Sequence, residues 1–178
     1  MARIVEWRPT ASCPLDVVEY LTVHGIYYEH WDLAGLPDRL RRGWNLDGRE
    51  RIAVIEALSA PLSRMAEAFH TISYDLVLLA PELTPALDDA LSPSRLPHHH
   101  SEAEIRLVVD GEADYTLTAN GATFTVTLEP GDLIAIPAGV RHAFELTSLR
   151  RLKAVRLFQS PEGWIARFDP AEVEVPAR

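Results

Sequence analysis

Three consecutive histidines, His98, His99 and His100, precede Glu104, and a further histidine, His142, follows the turn Pro137-Ala138-Gly139. On an extended strand, residues two apart face the same side, so His98 and His100 converge on one ion while His99 points away. Glu104 stands four residues after His100 and keeps that parity. His142 completes the set if its strand pairs nearby. Three neutral ring nitrogens and one carboxylate suit a divalent cation, and Fe(II), Ni(II), Mn(II), Co(II) and Zn(II) are all compatible with them. The plainer reading of the same residues is a solvent-exposed histidine tract beside an ordinary hydrogen-bonded His142.

Short strands must hold such ligands in place. Beyond Thr71 the chain breaks into apolar or alternating segments at 74–80, 105–109, 114–119, 122–128, 133–136, 142–146 and 152–158. Asn120-Gly121 is a strong hairpin signal, and Gly111 and Pro130-Gly131 mark other turns. Pro81, Pro85, Pro93 and Pro97 punctuate an irregular approach to the histidines. The first part of the chain reads as helical. Ser12 and Pro14 precede Leu15, Val17, Val18 and Leu21 at helical spacing, closing at Gly25, and a strand over 26–31 follows. The segment 32–45 reads as a loop with a helical turn near 39–42, and helical periodicity over 49–58 and 62–69 is interrupted at Pro61. The expectation is a mainly β protein, a β-sandwich or small barrel with N-terminal helices packed on it.

A chain of 178 residues, 47% hydrophobic and 24% charged, is expected to form a single domain around one core. Within it, 1–70 is helix-rich, 71–160 is the β core and 161–178 is a C-terminal segment with a loosely packed tail over 170–178. The single cysteine, Cys13, excludes an intrachain disulfide and any multi-cysteine metal site. The 17 basic against 26 acidic residues give a net charge of −9, which disfavours nucleic acid and anionic lipid as partners. Lys153 is the only lysine, so Schiff-base and phosphate-loop chemistry recede. The longest apolar run, over 76–80, is too short to span a bilayer and the N-terminus lacks a signal-peptide pattern; a cytoplasmic location is expected.

The spacing His98-x-His100-x3-Glu104-x6-Gly111, followed by Gly131-x5-Pro137-x-Gly139-x2-His142, resembles the two signature motifs of the cupin superfamily. That resemblance implies a jelly-roll β-sandwich. A common asparagine at the end of the second motif is replaced by Leu146, which is not a ligand position. His98-x-His100-x3-Glu104-Ile105-Arg106, the Pro-Ala-Gly approach to His142, and Val155-Arg156-Leu157-Phe158-Gln159-Ser160-Pro161-Glu162-Gly163-Trp164 narrow it further. Together with Gly25-Ile26-Tyr27-Tyr28-Glu29-His30-Trp31, they resemble the acireductone dioxygenase family over most of the chain.

The resemblance implies His98, His100, Glu104 and His142 as ligands of one Fe(II) or Ni(II) per chain. It places Arg106 and Arg156 beside the substrate as catalytic residues, and Phe144 and Trp164 on the pocket lining. Their plainer roles are ion pairing for the arginines and core packing for the aromatics. The implied substrates are O2 and a small-molecule enediol, 1,2-dihydroxy-3-keto-5-methylthiopentene of methionine salvage. An Fe(II) form yields 4-methylthio-2-oxobutanoate and formate; a Ni(II) form yields 3-methylthiopropanoate, formate and carbon monoxide. The chain departs from the family pattern at Ser94, where an aromatic is frequent, and at Ala103, where an acidic residue precedes the ligand glutamate. If that acid moves a proton or holds an arginine, its loss bears on rate or substrate; Glu102 reads as a solvated carboxylate.

Two other functions stay open: another cupin enzyme, either a dioxygenase for a different enediol or an isomerase, and a nonenzymatic cupin that binds a small ligand. The oligomeric state is monomer or homodimer. Arg39, Arg41 and Arg42 read as a solvated patch, Cys13 as an unpaired thiol, and Trp7, Trp31 and Trp44 as scaffold packing. His24, His30 and His70 lack ligand spacing, and Asp132 reads as a turn-stabilising side chain.

Overall fold

Strands that are apolar on both faces and strands that alternate build two different sheets in the computed structural model of the protein, which describes residues 1–6 and 17–169. In chain order the strands are β1 (Arg3–Glu6), β2 (Tyr27–His30), β3 (Ser73–Leu79), β4 (Glu104–Gly111), β5 (Ala113–Ala119), β6 (Ala122–Leu128), β7 (Asp132–Ile136), β8 (Arg141–Leu146) and β9 (Leu152–Phe158). One sheet has the order β1-β6-β5-β8 and the other β2-β7-β4-β9-β3, with every pairing antiparallel. Along β5, every second residue is buried, as expected for a sheet with one face toward the core. All five residues of β7 and the first six of β4 are buried, because both faces of their sheet are covered.

Two apolar clusters account for that difference. Tyr115, Leu117, Phe124 and Val126 of the four-stranded sheet pack with Val108, Ile134 and Ala154 of the five-stranded one. On the other face of the latter, Ile105, Leu107, Leu133 and Val155 meet Val54, Leu58, Leu62 and Met65. Those four come from the helical layer: α1 (Val17–Val23), α2 (Asp38–Arg42), α3 (Gly48–Ala57) and α4 (Ser59–Phe69) precede β3, and α5 (Leu87–Leu91) follows it. The mainly β sandwich with N-terminal helices packed on it is therefore observed.

Local chemistry explains most boundaries. Gly25, at φ +75°, closes α1, and the Ile26 N–H donates back to the Leu21 carbonyl at 2.9 Å. Asp47 and Glu50 form a reciprocal capping box at the start of α3. The interruption expected at Pro61 falls instead at Leu58. Pro61 sits in the first turn of α4, where a missing N–H leaves no helical bond unmade. Asn120 and Gly121 both have positive φ and turn β5 into β6 as expected. Strand β1, α5 and the 3-10 turn Ser92–Arg95 were not expected from the sequence. The helix start at Ser12 and Pro14, together with Trp7, Cys13 and the tail over 170–178, lies outside the described residues. No helix among the described residues is long and apolar enough to cross a membrane.

Candidate metal centre

His98, His100, Glu104 and His142 are all buried, and one ligand atom from each lies within 4.8 Å of the others. The histidine tract is not a strand, as the parity argument assumed, but a short extended stretch beside β8. His98 and His142 exchange backbone hydrogen bonds at 2.9 and 2.8 Å, and His99 does the same with Arg167. The alternation still holds: His98 and His100 are buried, whereas His99 is only half-buried. Between His100 and Glu104 the chain bends, so the carboxylate reaches the site from β4 of the other sheet. Gln159 anchors this bend, accepting from the Ala103 N–H at 2.9 Å and donating to the Phe69 carbonyl at 2.7 Å.

The ring orientations fit a cation. His98 Nδ1 donates to the Leu96 carbonyl at 2.7 Å and His142 Nδ1 to the Val140 carbonyl at 3.0 Å. A carbonyl can only accept, so these bonds fix the tautomer that leaves each Nε2 with a lone pair. His100 Nε2 and His142 Nε2 lie 3.0 and 3.1 Å from Glu104 Oε2, which brings three donor atoms to one point. Burial pushes the His98 pKa down, favouring the neutral ligand form. Burial acts the same way on His100, but the Glu104 carboxylate outweighs it and raises its pKa. Burial disfavours ionised Glu104; Arg106, His100 and His142 overcome that and hold its pKa well below the usual carboxylate range. Three imidazoles and an ionised carboxylate, sequestered from water, are a donor set suited to a divalent transition metal.

A cavity of about 250 Å³ opens beside these ligands. Its lining includes Arg106, Arg156, Phe144, Phe158 and Trp164, together with the smaller side chains of Ala90, Pro93, Ser94 and Ala166. The Arg106 guanidinium lies 4.5 Å from the centre of the Phe144 ring and 5.3 Å from that of Trp164, contacts suited to a cation on aromatic faces. Its Nη2 is 3.2 Å from Glu104 Oε1, but its buried Nε and Nη1, like Trp164 Nε1, have no acceptor among the described residues. Arg156 forms a two-bond ion pair with Asp75, its partner across the β3–β9 ladder. All eight sequence-selected residues are thus gathered around one cavity or immediately behind it.

Residues 49–166 match the ARD/ARD′ family. The chain belongs to the acireductone dioxygenase family. An acireductone dioxygenase of Bacillus pumilus is 35% identical over 159 residues, covering 89% of this chain and 90% of its own. One from Sulfurihydrogenibium sp. is 33% identical over 159 residues, covering 89% and 88%. Among solved structures, the acireductone dioxygenase from Bacillus anthracis with a cadmium ion in its active centre superposes with a TM-score of 0.86 at 30% identity, covering 94% of this chain and 96% of that one.

Within this acireductone dioxygenase family member, several side chains near the site carried no clear sequence signal. Tyr115, fully buried on β5, donates to Glu104 Oε1 at 2.7 Å, and burial raises its pKa so that it keeps its proton. In sequence it is indistinguishable from an apolar core position of an alternating strand. Asp75 did leave a trace, as an acid inside the apolar 74–80 segment. It holds an arginine, one of the two roles considered for the acid that Ala103 replaces. Glu102, expected to be solvated, is half-buried, with Oε2 shielded and unpaired among the described residues. Outside the site, Asp132 accepts from the Tyr28 hydroxyl, the His30 ring and the Glu129 N–H, so it does stabilise its turn.

Proposed function

We propose that the protein uses one Fe(II) or Ni(II), held by His98, His100, Glu104 and His142, to cleave 1,2-dihydroxy-3-keto-5-methylthiopentene with O2 in methionine salvage. One observation carries this reading: four buried ligand side chains converge on one point, and three of them, His98, His100 and Glu104, line a cavity together with Arg106. A divalent cation bound by these ligands supplies Lewis acidity for an enediolate and a site for oxygen chemistry. Arg106, on the cavity lining, offers its guanidinium to the enediolate oxygens, where its permanent charge favours the ionised substrate. Arg156, fixed by Asp75, adds a second positive charge at the same cavity. Phe144 and Trp164 exclude water around these charges, strengthening each contact. The small side chains of Ala90, Ser94 and Ala166 leave room for an apolar tail. In this reading residues 1–178 act as a single cupin-like domain, as a monomer or homodimer in the cytoplasm.

Oxygen uptake tests the function. Apoprotein reconstituted anaerobically with Fe(II) and mixed with the acireductone is expected to consume O2 well above His98→Ala, His142→Ala and metal-only controls. No excess uptake despite measured metal occupancy would reject it. Fe(II) protein is expected to yield 4-methylthio-2-oxobutanoate and formate, and Ni(II) protein 3-methylthiopropanoate, formate and carbon monoxide; identical product sets would remove the metal-dependent branch. The small side chains of Ala90, Ser94 and Ala166 on the lining also favour a second reading, a dioxygenase for an enediol with a different tail. Faster turnover of such an enediol than of the methylthio compound would select it.

A further inference from the structure

Glu104 turns its two carboxylate oxygens toward different partners. Oε2 lies 3.0 Å from His100 Nε2 and 3.1 Å from His142 Nε2. Oε1 accepts from the Tyr115 hydroxyl at 2.7 Å and lies 3.2 Å from Arg106 Nη2. Tyr115 reaches this oxygen across the sandwich: it stands on β5, whereas Glu104 begins β4 in the opposing sheet. It is 0% exposed, and its ring centre lies 5.2 Å from that of Phe144, its ladder partner on β8. Packing therefore fixes the hydroxyl while the carboxylate is the softer group, because rotation about the last bond of a glutamate has only broad preferences.

An unrestrained carboxylate can offer a cation one oxygen or both. Turning Oε1 toward the imidazoles would strip a buried hydroxyl of its acceptor, at a cost of about 1–3 kcal/mol. We propose that Tyr115 is a positioning residue that commits Glu104 to presenting Oε2 alone to the cation. Three imidazoles and one carboxylate oxygen would hold a divalent cation and would leave it room for a substrate that binds through two oxygens. Tyr115 does this without engaging Arg106, which meets the same carboxylate oxygen through Nη2 alone. The inference rests on the metal-dependent dioxygenase reading of the site and adds a role that the ligand set alone does not contain.

The test measures metal binding without turnover. Co(II) titration of apoprotein by equilibrium dialysis is expected to show about tenfold weaker affinity in Tyr115→Phe, the lower end of what loss of a ligand's hydrogen-bond partner costs. Tyr28→Phe is the control. It deletes the same kind of buried hydroxyl–carboxylate bond, 2.7 Å to Asp132, and is expected to leave Co(II) affinity unchanged. Wild-type affinity in folded Tyr115→Phe would overturn the proposal, since a merely structural tyrosine lowers the unfolding temperature without altering metal affinity. A second measurement needs no variant. The Co(II)-induced infrared difference spectrum of the wild type is expected to show the widely split carboxylate stretches of one-oxygen ligation; a two-oxygen signature would overturn the proposal. Neither measurement consumes O2 or acireductone, so failure of the substrate assignment leaves both results standing. Absence of Co(II) binding by the wild type would instead remove the metal-centre reading and this inference together.

Discussion

At the residue scale, the site depends on side chains that hold other side chains. The Asp75 carboxylate meets the Arg156 guanidinium through two charge-assisted bonds, which restrict both the position and the plane of that cation. Asp75→Asn keeps the shape and loses the charge. It is expected to lower kcat/KM for the acireductone about tenfold, chiefly through a higher KM, while folding and metal content stay unchanged. Steady-state oxygen uptake over a substrate series checks this, and an unchanged KM would detach Asp75 from substrate binding. Arg106→Met removes the guanidinium that lines the cavity. The expected loss is about 100-fold or more in kcat/KM, comparable with deleting one donor to a developing oxyanion.

At the scale of elements, turns and loop anchors place the ligand-bearing strands. Gly111 joins β4 to β5 at φ +81°, and a Cβ there would lie 2.1 Å from the Arg151 carbonyl oxygen. Both the backbone conformation and the space exclude a side chain, so Gly111→Ala is expected to destabilise the fold by about 3 kcal/mol or more in urea unfolding. The bend between His100 and Glu104 depends instead on Gln159, whose amide links Ala103 to the end of α4. Gln159→Ala leaves the Ala103 N–H and the Phe69 carbonyl without this partner. It is expected to weaken Co(II) binding several-fold while costing about 1–2 kcal/mol of stability. Equal metal affinity in the folded variant would show that the bend holds its shape without the amide.

At the scale of the whole molecule, the helical layer is tied to the sheet by a buried charge. The Lys153 ammonium on β9 is fully buried, donates to the Leu40 and Arg41 carbonyls at 3.1 and 2.6 Å, and lies 3.9 Å from Asp110. Burial pushes its pKa down to about 8. The unfolded chain keeps that proton up to the ordinary lysine value near 10.5. Between those values the unfolded state binds more protons, so this group makes stability rise with pH. Wild-type protein is therefore expected to gain stability relative to Lys153→Met as pH is raised from about 8 toward 10; parallel denaturation profiles would refute the assignment. Metal acts on the same global equilibrium. The main apolar clusters do not contain the four ligands, so chelation is expected to leave the far-ultraviolet circular dichroism unchanged. A cation at about 100 times its Kd should add about 2.7 kcal/mol to the unfolding free energy.

The sequence by itself determined the strand segments from β2 onward, the Asn120-Gly121 hairpin and the four candidate metal ligands, while the resemblance it carries pointed to Arg106, Arg156, Phe144 and Trp164. Two-residue periodicity and turn chemistry are local, and so are readable along the chain; the spacing motifs carried the family. The same local rules explain why His98 and His100 share a face even though their stretch pairs only through two isolated bridges. Tertiary structure decided what depends on register between distant segments. Only the sheet order brings Asp75 beside Arg156, adds the four-residue β1 to β6, and sends Lys153 to the end of α2. Only the packing of one sheet on the other lets Tyr115 reach Glu104. Neither residue's local pattern encodes that contact, because it exists across a core that forms only when both sheets fold together.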